Sequence, residues 1–219
     1  MNATTSTRDI KELNPLVQVM LNKAISLIKK KGINPLIVET YRPKERQYYL
    51  YGKGRSYSTC LGAGVPAAYA QKYAKPNERK CTWTLNSIHI KRCAVDIVPQ
   101  RGGQAIWNVK DAQSQEIIKI MQSVGFEAGA NWKSSPDSPH HQVKGISPTG
   151  RSFSRKNTTK YVTTMIQKRL KKLGLYTDYA VDGDWGKATD AAVKKWNKLI
   201  GRRASASIGV KSLIMLLDR

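Results

Sequence analysis

The chain has 219 residues, 40% of them hydrophobic, which is enough for one ordinary globular domain and a smaller second one, each with its own core. Lys and Arg number 38 against 15 Asp and Glu, so the formal net charge is +23. This charge favours polyanionic partners: nucleic acid, anionic membranes or anionic envelope polymers. No apolar run approaches the roughly 18 residues that a transmembrane helix needs, which excludes that class.

The amino-terminal residues 1–13 lack a basic start followed by an apolar run, so we expect no secretory signal and synthesis in the cytoplasm. Cys60, Cys81 and Cys93 form neither a CxxC pair nor an even set, which fits a reducing compartment. We expect them to be ordinary, semi-buried residues rather than catalytic groups or metal ligands.

The first elements in chain order are a helix, a strand and a second helix. Apolar residues recur at helical spacing over residues 9–31, and Gly32 provides a stop signal. Residues 35–41 are rich in β-formers and predict a strand, and residues 43–50 predict a helix with proline in its first turn. Arg42 is therefore predicted at the end of a strand.

The next elements are shorter. Residues 87–90 and 94–98 predict two strands, and residues 111–124 predict a second long helix. The pattern indicates an α+β domain over residues 1–146, with a central antiparallel sheet and flanking helices.

A change in composition marks a linker. From residue 145 to 156 the chain is rich in Gly, Ser, Pro and basic residues and has no apolar periodicity, so we place a linker at residues 147–156. Three stretches of helical periodicity follow in residues 157–219 and predict a three-helix, all-α domain.

The histidines restrict where acid–base or metal chemistry can occur, because the chain has only His89, His140 and His141. His89 lies seven residues before Asp96, and the β-branched residues between them favour two strand ends joined by a turn over a single helix. Asp137 and His140 lie in a segment with two prolines, which predicts a stiff loop that holds them side by side.

A catalytic zinc site uses three protein ligands of the His, Asp or Glu type, and a further carboxylate takes a proton from water. His89, Asp96 and His140 could supply the ligands, and Asp137 the carboxylate. For each of these residues in isolation, an ordinary surface or hydrogen-bonded role remains the alternative.

The order of the motifs carries a resemblance. Three stretches, Thr40 to Arg55, Ser87-x-His89-x4-Ala94-x-Asp96, and Trp132-x4-Asp137-x-Pro139-His140, together resemble the zinc D-alanyl-D-alanine carboxypeptidase and L-alanyl-D-glutamate endopeptidase family.

The resemblance implies a role for each matched residue. It implies that His89, Asp96 and His140 bind one zinc ion, that Asp137 is the general base, and that Arg42 neutralises charge on the substrate. It also suggests substrate contacts by four further side chains: Gln47, Ser87, Trp132 and, in the carboxy-terminal domain, Trp185.

Two positions depart from the family pattern. Arg92 stands where the family usually has glycine, so either the turn differs or the backbone freedom of glycine is not required. His141 stands where an aromatic is usual, and it could pack, support a ligand or compete for metal; we favour packing or support.

The carboxy-terminal sequence resembles the three-helix peptidoglycan-binding domain of many wall hydrolases. The resemblance lies in Ile166-Gln167-x2-Leu170-x2-Leu173-Gly174 and in the stretch from Val181 to Trp196, where Asp-Gly and Trp-Gly pairs predict a tight loop. Trp196 is expected in the core, whereas Trp185 could either lie in the core or stack on sugar.

These resemblances imply a bacteriophage endolysin that cleaves the L-alanyl-D-glutamate bond of peptidoglycan for host lysis. We expect a monomer, made in the host cytoplasm, that reaches the wall once the membrane is permeabilised. Its partners would be peptidoglycan and anionic wall or outer-membrane polymers, with no role for nucleic acid. The alternatives are D-alanyl-D-alanine cleavage in murein precursors or wall, and a noncatalytic basic binding protein.

Overall fold

The computed structural model describes residues 2–143 and 152–217. Within these ranges the α-helices are α1 (Pro15–Lys30), α2 (Lys44–Gly52), α3 (Tyr57–Gly62), α4 (Ala67–Tyr73), α5 (Ala112–Ser123), α6 (Lys160–Lys172), α7 (Lys187–Leu199) and α8 (Val210–Leu217). The strands are β1 (Pro35–Glu39), β2 (Ala94–Arg101), β3 (Gln104–Ala105), β4 (Glu127–Ala128), β5 (His140–Gln142), β6 (Ser152–Phe153) and β7 (Ile208–Gly209). None of the described helices has the length and apolar character to cross a membrane.

The central sheet confirms the predicted α+β class. Its strands run antiparallel in the order β1-β2-β5-β4, and β3 pairs with the far end of β2. Helices α1 and α5 contact each other, and α5 contacts β2. Strand β2 therefore lies between two neighbours, which is where a row of side chains from three strands can meet.

Two predicted elements differ in the structure. Helix α1 begins at Pro15 rather than near residue 9, because the Asn14 side chain accepts a hydrogen bond from the Leu16 amide at 3.0 Å and caps the helix. The segment predicted as a strand at residues 87–90 is a short 3-10 helix (Ile88–Lys91), capped by the Ser87 hydroxyl. Its isoleucines suggested a strand, but the cap decided the local structure.

The carboxy-terminal part contains the three predicted helices, α6, α7 and α8, together with a two-strand pairing of β6 with β7. Residues 144–151 of the linker region lie outside the described residues. Residues 152–153, also inside the predicted linker, form β6, and Phe153 is buried in the core. The last part of the predicted linker is therefore ordered on the helical part.

The two parts of the chain contact each other. The Tyr161 hydroxyl donates a hydrogen bond to the Ser123 carbonyl at 3.1 Å, and the Tyr161 ring lies against Gly125. Buried side chains of both parts belong to one continuous hydrophobic cluster, whereas we had expected two separate cores. The domain boundaries at residues 146 and 157 stay a prediction.

Candidate metal centre

Three neighbouring strands bring polar side chains to one level of the sheet. Asp96 on β2 pairs with Glu39 on β1 and with His140 on β5, and a register shift in β1 immediately precedes Glu39. His89 comes from the 3-10 helix just before β2. The predicted juxtaposition of His89, Asp96 and His140 is thus present, although His140 begins a strand rather than lying in a loop.

The potential ligand atoms of these three residues lie close together. Nε2 of His89 is 3.1 Å from Oδ1 of Asp96 and 3.1 Å from Nδ1 of His140, and that Nδ1 is 3.2 Å from Oδ1 of Asp96. All three residues are largely or fully buried. Among the described residues they form a group able to hold a metal ion.

Each histidine is oriented through its other ring nitrogen. Nδ1 of His89 is 2.6 Å from the Thr40 carbonyl oxygen, and Nε2 of His140 is 3.2 Å from Oε1 of Gln142. Because a carbonyl oxygen can only accept, both outer nitrogens carry the hydrogen, and the inner nitrogens present lone pairs. Two lone pairs and a carboxylate that converge in this way fit a zinc ion.

The charges of the cluster oppose the effect of burial. Burial acts to raise the pKa of Asp96, but the imidazoles of His89 and His140 hold it well below its usual value. Burial acts to lower the pKa of His140, but its hydrogen bond to Asp96 raises it overall. A binding cation therefore competes with a proton for this cluster.

Arg42 lies beside the cluster, but it belongs to the loop before α2 and not to a strand end, because β1 already ends at Glu39. Its Nη2 is 3.6 Å from Oδ2 of Asp96, and the side chain is anchored by Glu39, which accepts from Nε at 3.0 Å and from Nη2 at 2.5 Å. Glu39 also accepts from Nε of Arg46 at 2.5 Å. A fully buried Gln47 accepts from Nη1 of Arg42 at 3.0 Å. The guanidinium is thus held in place next to Asp96.

Asp137 is placed differently from the three candidate ligands. It is exposed, and it lies outside the group of ligand atoms. Burial of its carboxyl group and then the negative charge of Asp96 raise the pKa of Asp137, although the residue as a whole is open to solvent. A raised pKa makes a carboxylate a better proton acceptor near neutral pH.

The backbone holds Asp137 near His140 through close contact with Gly129. The Asp137 amide donates to the Gly129 carbonyl at 3.1 Å, and the His140 amide donates to the Asp137 carbonyl at 3.3 Å. A Cβ at Gly129 would lie 2.5 Å from the Asp137 carbonyl oxygen. Only glycine fits there without moving the loop.

His141 points away from the candidate ligands. It is fully buried, and its Nδ1 is 2.9 Å from the Pro139 carbonyl oxygen. Its Nε2 is one of two buried side-chain nitrogen or oxygen atoms that have no hydrogen bond in the described part of the chain. Burial lowers the pKa of His141 to about 4, so the ring is neutral. This placement agrees with packing rather than ligation.

The structure changes the expectation for three of the four suggested substrate contacts. Gln47 and Ser87 are buried and bonded within the protein, the first to Arg42 and the second to the His89 amide. Trp185 is only 5% exposed and its Nε1 donates to Asp190 at 2.7 Å, so its ring belongs to the core and has no free face for sugar. Trp132 is half-buried, 5.1 Å ring to ring from His140, and remains a candidate.

Arg92 adopts the left-handed backbone that glycine favours, with φ 60° and ψ 25°. The turn therefore keeps the geometry expected of glycine. The side chain is held by an ion pair with Glu12, and its guanidinium carbon lies 3.8 Å from the centre of the Tyr41 ring.

Several supporting residues were not anticipated from the sequence. Glu39 anchors Arg42, and Gln142 connects His140 to Glu127 through a 3.3 Å hydrogen bond. The signal for Gln142 was present, since it is two residues after His140 and alternation in a strand places both side chains on one face. Cys60 and Cys93 are buried, Cys81 is exposed, and all three are free thiols.

Comparison with known proteins gives one family match and several relatives. Residues 80–143 match the model of a peptidase family described as D-alanyl-D-alanine carboxypeptidase. The peptidoglycan L-alanyl-D-glutamate endopeptidase CwlK of Bacillus subtilis (strain 168) is 29% identical over 140 residues, which cover 60% of this chain and 74% of that protein. The L-alanyl-D-glutamate peptidase of Listeria phage A118 is 24% identical over 160 residues, and the match spans 71% of this chain but only about half (48%) of the phage protein.

Among solved structures, the Serratia marcescens L-Ala D-Glu endopeptidase ChiX aligns with a TM-score of 0.42 and 19% identity, covering 65% of this chain and 89% of that one. The matched segment, residues 80–143, contains all three candidate ligands and Asp137. The chain is an enzyme of the peptidase class.

Proposed function

We propose that this protein is a zinc-dependent endopeptidase that hydrolyses the L-alanyl-D-glutamate bond of peptidoglycan stem peptides. The observation that carries the proposal is the buried group of His89, Asp96 and His140, whose potential ligand atoms converge. The other ring nitrogen of each histidine is hydrogen-bonded to a carbonyl oxygen of the protein. A zinc ion held by these atoms would act as a Lewis acid toward the carbonyl and would lower the pKa of water.

The chain's own residues supply the remaining chemistry. Asp137, with its raised pKa and its position beside the ligands, accepts the proton of the attacking water and passes it to the leaving amine. Arg42, whose Nη2 lies 3.6 Å from Asp96, stabilises negative charge on the substrate. Glu39 and Gln47 hold that guanidinium in place.

The choice of bond rests on the two curated relatives, both of which are named for L-alanyl-D-glutamate cleavage. The alternative is D-alanyl-D-alanine cleavage, which the description of the matching family favours. Digestion of purified murein followed by mass spectrometry separates the two. We expect new L-alanine carboxyl and D-glutamate amino termini; release of free D-alanine alone would establish the alternative.

A noncatalytic basic binding protein is the alternative from another class. Such a protein would bind its partner equally well with and without EDTA. A zinc peptidase loses turnover in EDTA and regains it when zinc is added in slight excess, so this single titration distinguishes the two.

We also propose that the protein serves lysis of a bacterial host by a phage, for which the Listeria phage relative is the support. It would act on the wall from the cytoplasmic side once the membrane has been permeabilised. Lysis on expression should then require a co-expressed membrane pore.

Residues 157–219 would add wall affinity. Tyr179 is 56% exposed and lies beside a cavity of about 270 Å³ that Lys187 and Lys195 also line. These side chains offer a polar, cationic surface for wall binding.

A further inference from the structure

Trp83 is an exposed aromatic residue that the chemistry described above does not use. Its side chain is 64% exposed, although burying an indole is among the largest apolar gains available to a protein. It lies six residues before His89 and within the segment 80–143 that matches the peptidase family. The exposed face of this indole is available to a partner outside the chain.

The backbone on both sides of Trp83 is fixed. Nε2 of Gln47 donates to the Thr84 carbonyl oxygen at 2.6 Å and to the Thr82 hydroxyl at 3.2 Å. Nη2 of Arg55 donates to the Thr82 carbonyl oxygen at 2.8 Å. The exposed ring is therefore carried on a pre-organised support rather than on a freely moving loop, which lowers the entropic cost of binding.

The same hydrogen bonds connect Trp83 to the candidate metal centre. Gln47, which holds the residues on both sides of Trp83, also accepts from Nη1 of Arg42, and Nη2 of Arg42 lies 3.6 Å from Asp96. Only two side chains thus separate the tryptophan loop from a candidate ligand. The loop that carries the indole is therefore bonded directly to residues that surround the metal centre.

The covalent structure of murein indicates which part of the substrate lies a short way from the reacting bond. The stem peptide begins with L-alanine, which is joined through a lactyl group to the muramic acid ring. For cleavage after this L-alanine, the sugar lies within about 10 Å of the reacting carbonyl, since one residue spans about 3.5 Å. For cleavage between the terminal D-alanines, four residues intervene, and the sugar would lie beyond such a short reach.

We propose that Trp83 is a substrate-positioning platform that stacks on the saccharide ring bearing the stem peptide, so that the enzyme prefers glycan-linked peptides to free ones. The flat, apolar face of an indole suits the C–H face of a pyranose, and its rigidity lowers the cost of ordering. This inference rests on the proposed L-alanyl-D-glutamate activity.

The test compares two soluble substrates that differ only in the sugar. One is the stem peptide with its amino terminus acetylated, which removes the charge of a free amine; the other is the same peptide on its disaccharide. We expect the wild-type KM to be about tenfold lower for the disaccharide substrate, which corresponds to about 1.4 kcal/mol. Trp83→Ala should remove this preference by raising that KM about tenfold, with kcat and the KM for the free peptide unchanged.

Two further variants control the experiment. Trp83→Tyr keeps a stacking face and should retain most of the preference. Trp107→Ala removes a tryptophan of similar exposure, 58%. Trp107 follows β3, which pairs with β2 at Gln100, about 13 Å along the strand from Asp96. This variant should leave the KM for both substrates unchanged.

The outcomes separate the inference from the function on which it rests. Wild-type cleavage of both substrates with equal KM overturns the inference alone. A Trp83→Ala variant that raises the KM for both substrates equally, or for neither, has the same consequence. A similar loss in Trp107→Ala would also overturn it. If the wild-type protein with zinc cleaves neither substrate after L-alanine, the proposed function fails and the inference fails with it.

Discussion

The two parts of this chain each contain a buried polar cluster, and the clusters differ in how their atoms are paired. In the helical part, Gln167 is fully buried: its Oε1 accepts from the Gly183 amide at 2.8 Å, and its Nε2 has acceptors from Asp182 and Thr189 at 2.9 and 3.1 Å. Every polar atom of that side chain is satisfied within the protein.

The cluster on the sheet is paired in another way. His89 and His140 direct nitrogen atoms at each other across 3.1 Å, with Asp96 beside them, and only a shared proton or a cation makes this arrangement favourable. The contrast indicates a general distinction. A buried network in which every donor meets an acceptor stabilises a fold, whereas one in which lone pairs converge has the arrangement of a metal site.

Replacing a candidate ligand should have the largest effect. We expect His89→Ala and His140→Ala each to lose bound zinc and more than about 10⁴-fold of the activity, because two remaining ligands hold zinc poorly. His141→Ala is the matched control, since its ring faces away from the cluster and should leave metal content unchanged. Metal analysis after gel filtration checks this; a metal-free His141 variant beside a loaded His140 variant would reverse the assignment.

Removing the proposed base should separate metal binding from turnover. We expect Asp137→Asn to retain zinc, because Asp137 lies outside the ligand group, and to lose about 10² to 10⁴-fold in kcat. Asp178→Asn makes the same change in net charge at an exposed aspartate of the helical part and should retain full activity on a soluble stem peptide. A zinc-loaded Asp137 variant with more than about a tenth of the wild-type rate would exclude it as the base.

The neutral His141 predicts a pH dependence of stability. Its folded pKa, about 4, lies below the ordinary value of 6.5, so between these values the unfolded chain binds a proton that the folded protein does not. The free energy of unfolding should therefore fall as the pH decreases from 6.5 to 4, by about 3 kcal/mol from this group.

The variant His141→Phe should lack this part of the dependence. Denaturant unfolding of both proteins in EDTA at several pH values measures the difference, and EDTA keeps metal release from contributing. At pH 7.5 the two should agree within about 1 kcal/mol, the value of the lost hydrogen bond to Pro139. Parallel curves for the two proteins between pH 6.5 and 4 would contradict the assignment of a buried neutral ring.

Breaking the satisfied cluster should affect stability and leave the metal in place. We expect Gln167→Leu to lower the free energy of unfolding by about 1 to 3 kcal/mol, because the Gly183 amide loses its acceptor in a buried position. Zinc content should be unchanged. Gln122→Leu, at an exposed position of α5, is the matched control and should stay within about 0.5 kcal/mol of wild type. Zinc loss in the Gln167 variant would show that the two clusters are coupled.

The sequence predicted the main helices and the candidate ligands better than the residues that hold those ligands in place. Helical periodicity located α5 and the three carboxy-terminal helices, because apolar stripes are a local property of the chain. Motif order brought His89, Asp96 and His140 together, and their ligand atoms do converge; their roles stay a prediction.

What the sequence missed depended on contacts across strands or on burial. Glu39 meets Asp96 only through the register of β1 with β2, and no local pattern shows that register. Trp185 was considered for sugar stacking, but its 5% exposure results from packing among helices distant in sequence. Residues 87–90 were assigned to a strand because isoleucine is β-branched, and the Ser87 cap outweighed that preference.

The left-handed backbone of Arg92 also affects the order in which Arg92 and the two residues that contact it can be substituted. In isolation, a glycine at this position would relax the backbone by about 1 kcal/mol, but it would leave Glu12 without its ion-pair partner and uncover Tyr41. Conversely, losing Glu12 or Tyr41 first leaves an arginine with backbone strain and fewer compensating contacts. The three positions are therefore expected to be epistatic, so that a lineage reaches the glycine form of this turn more readily by changing them together than one at a time.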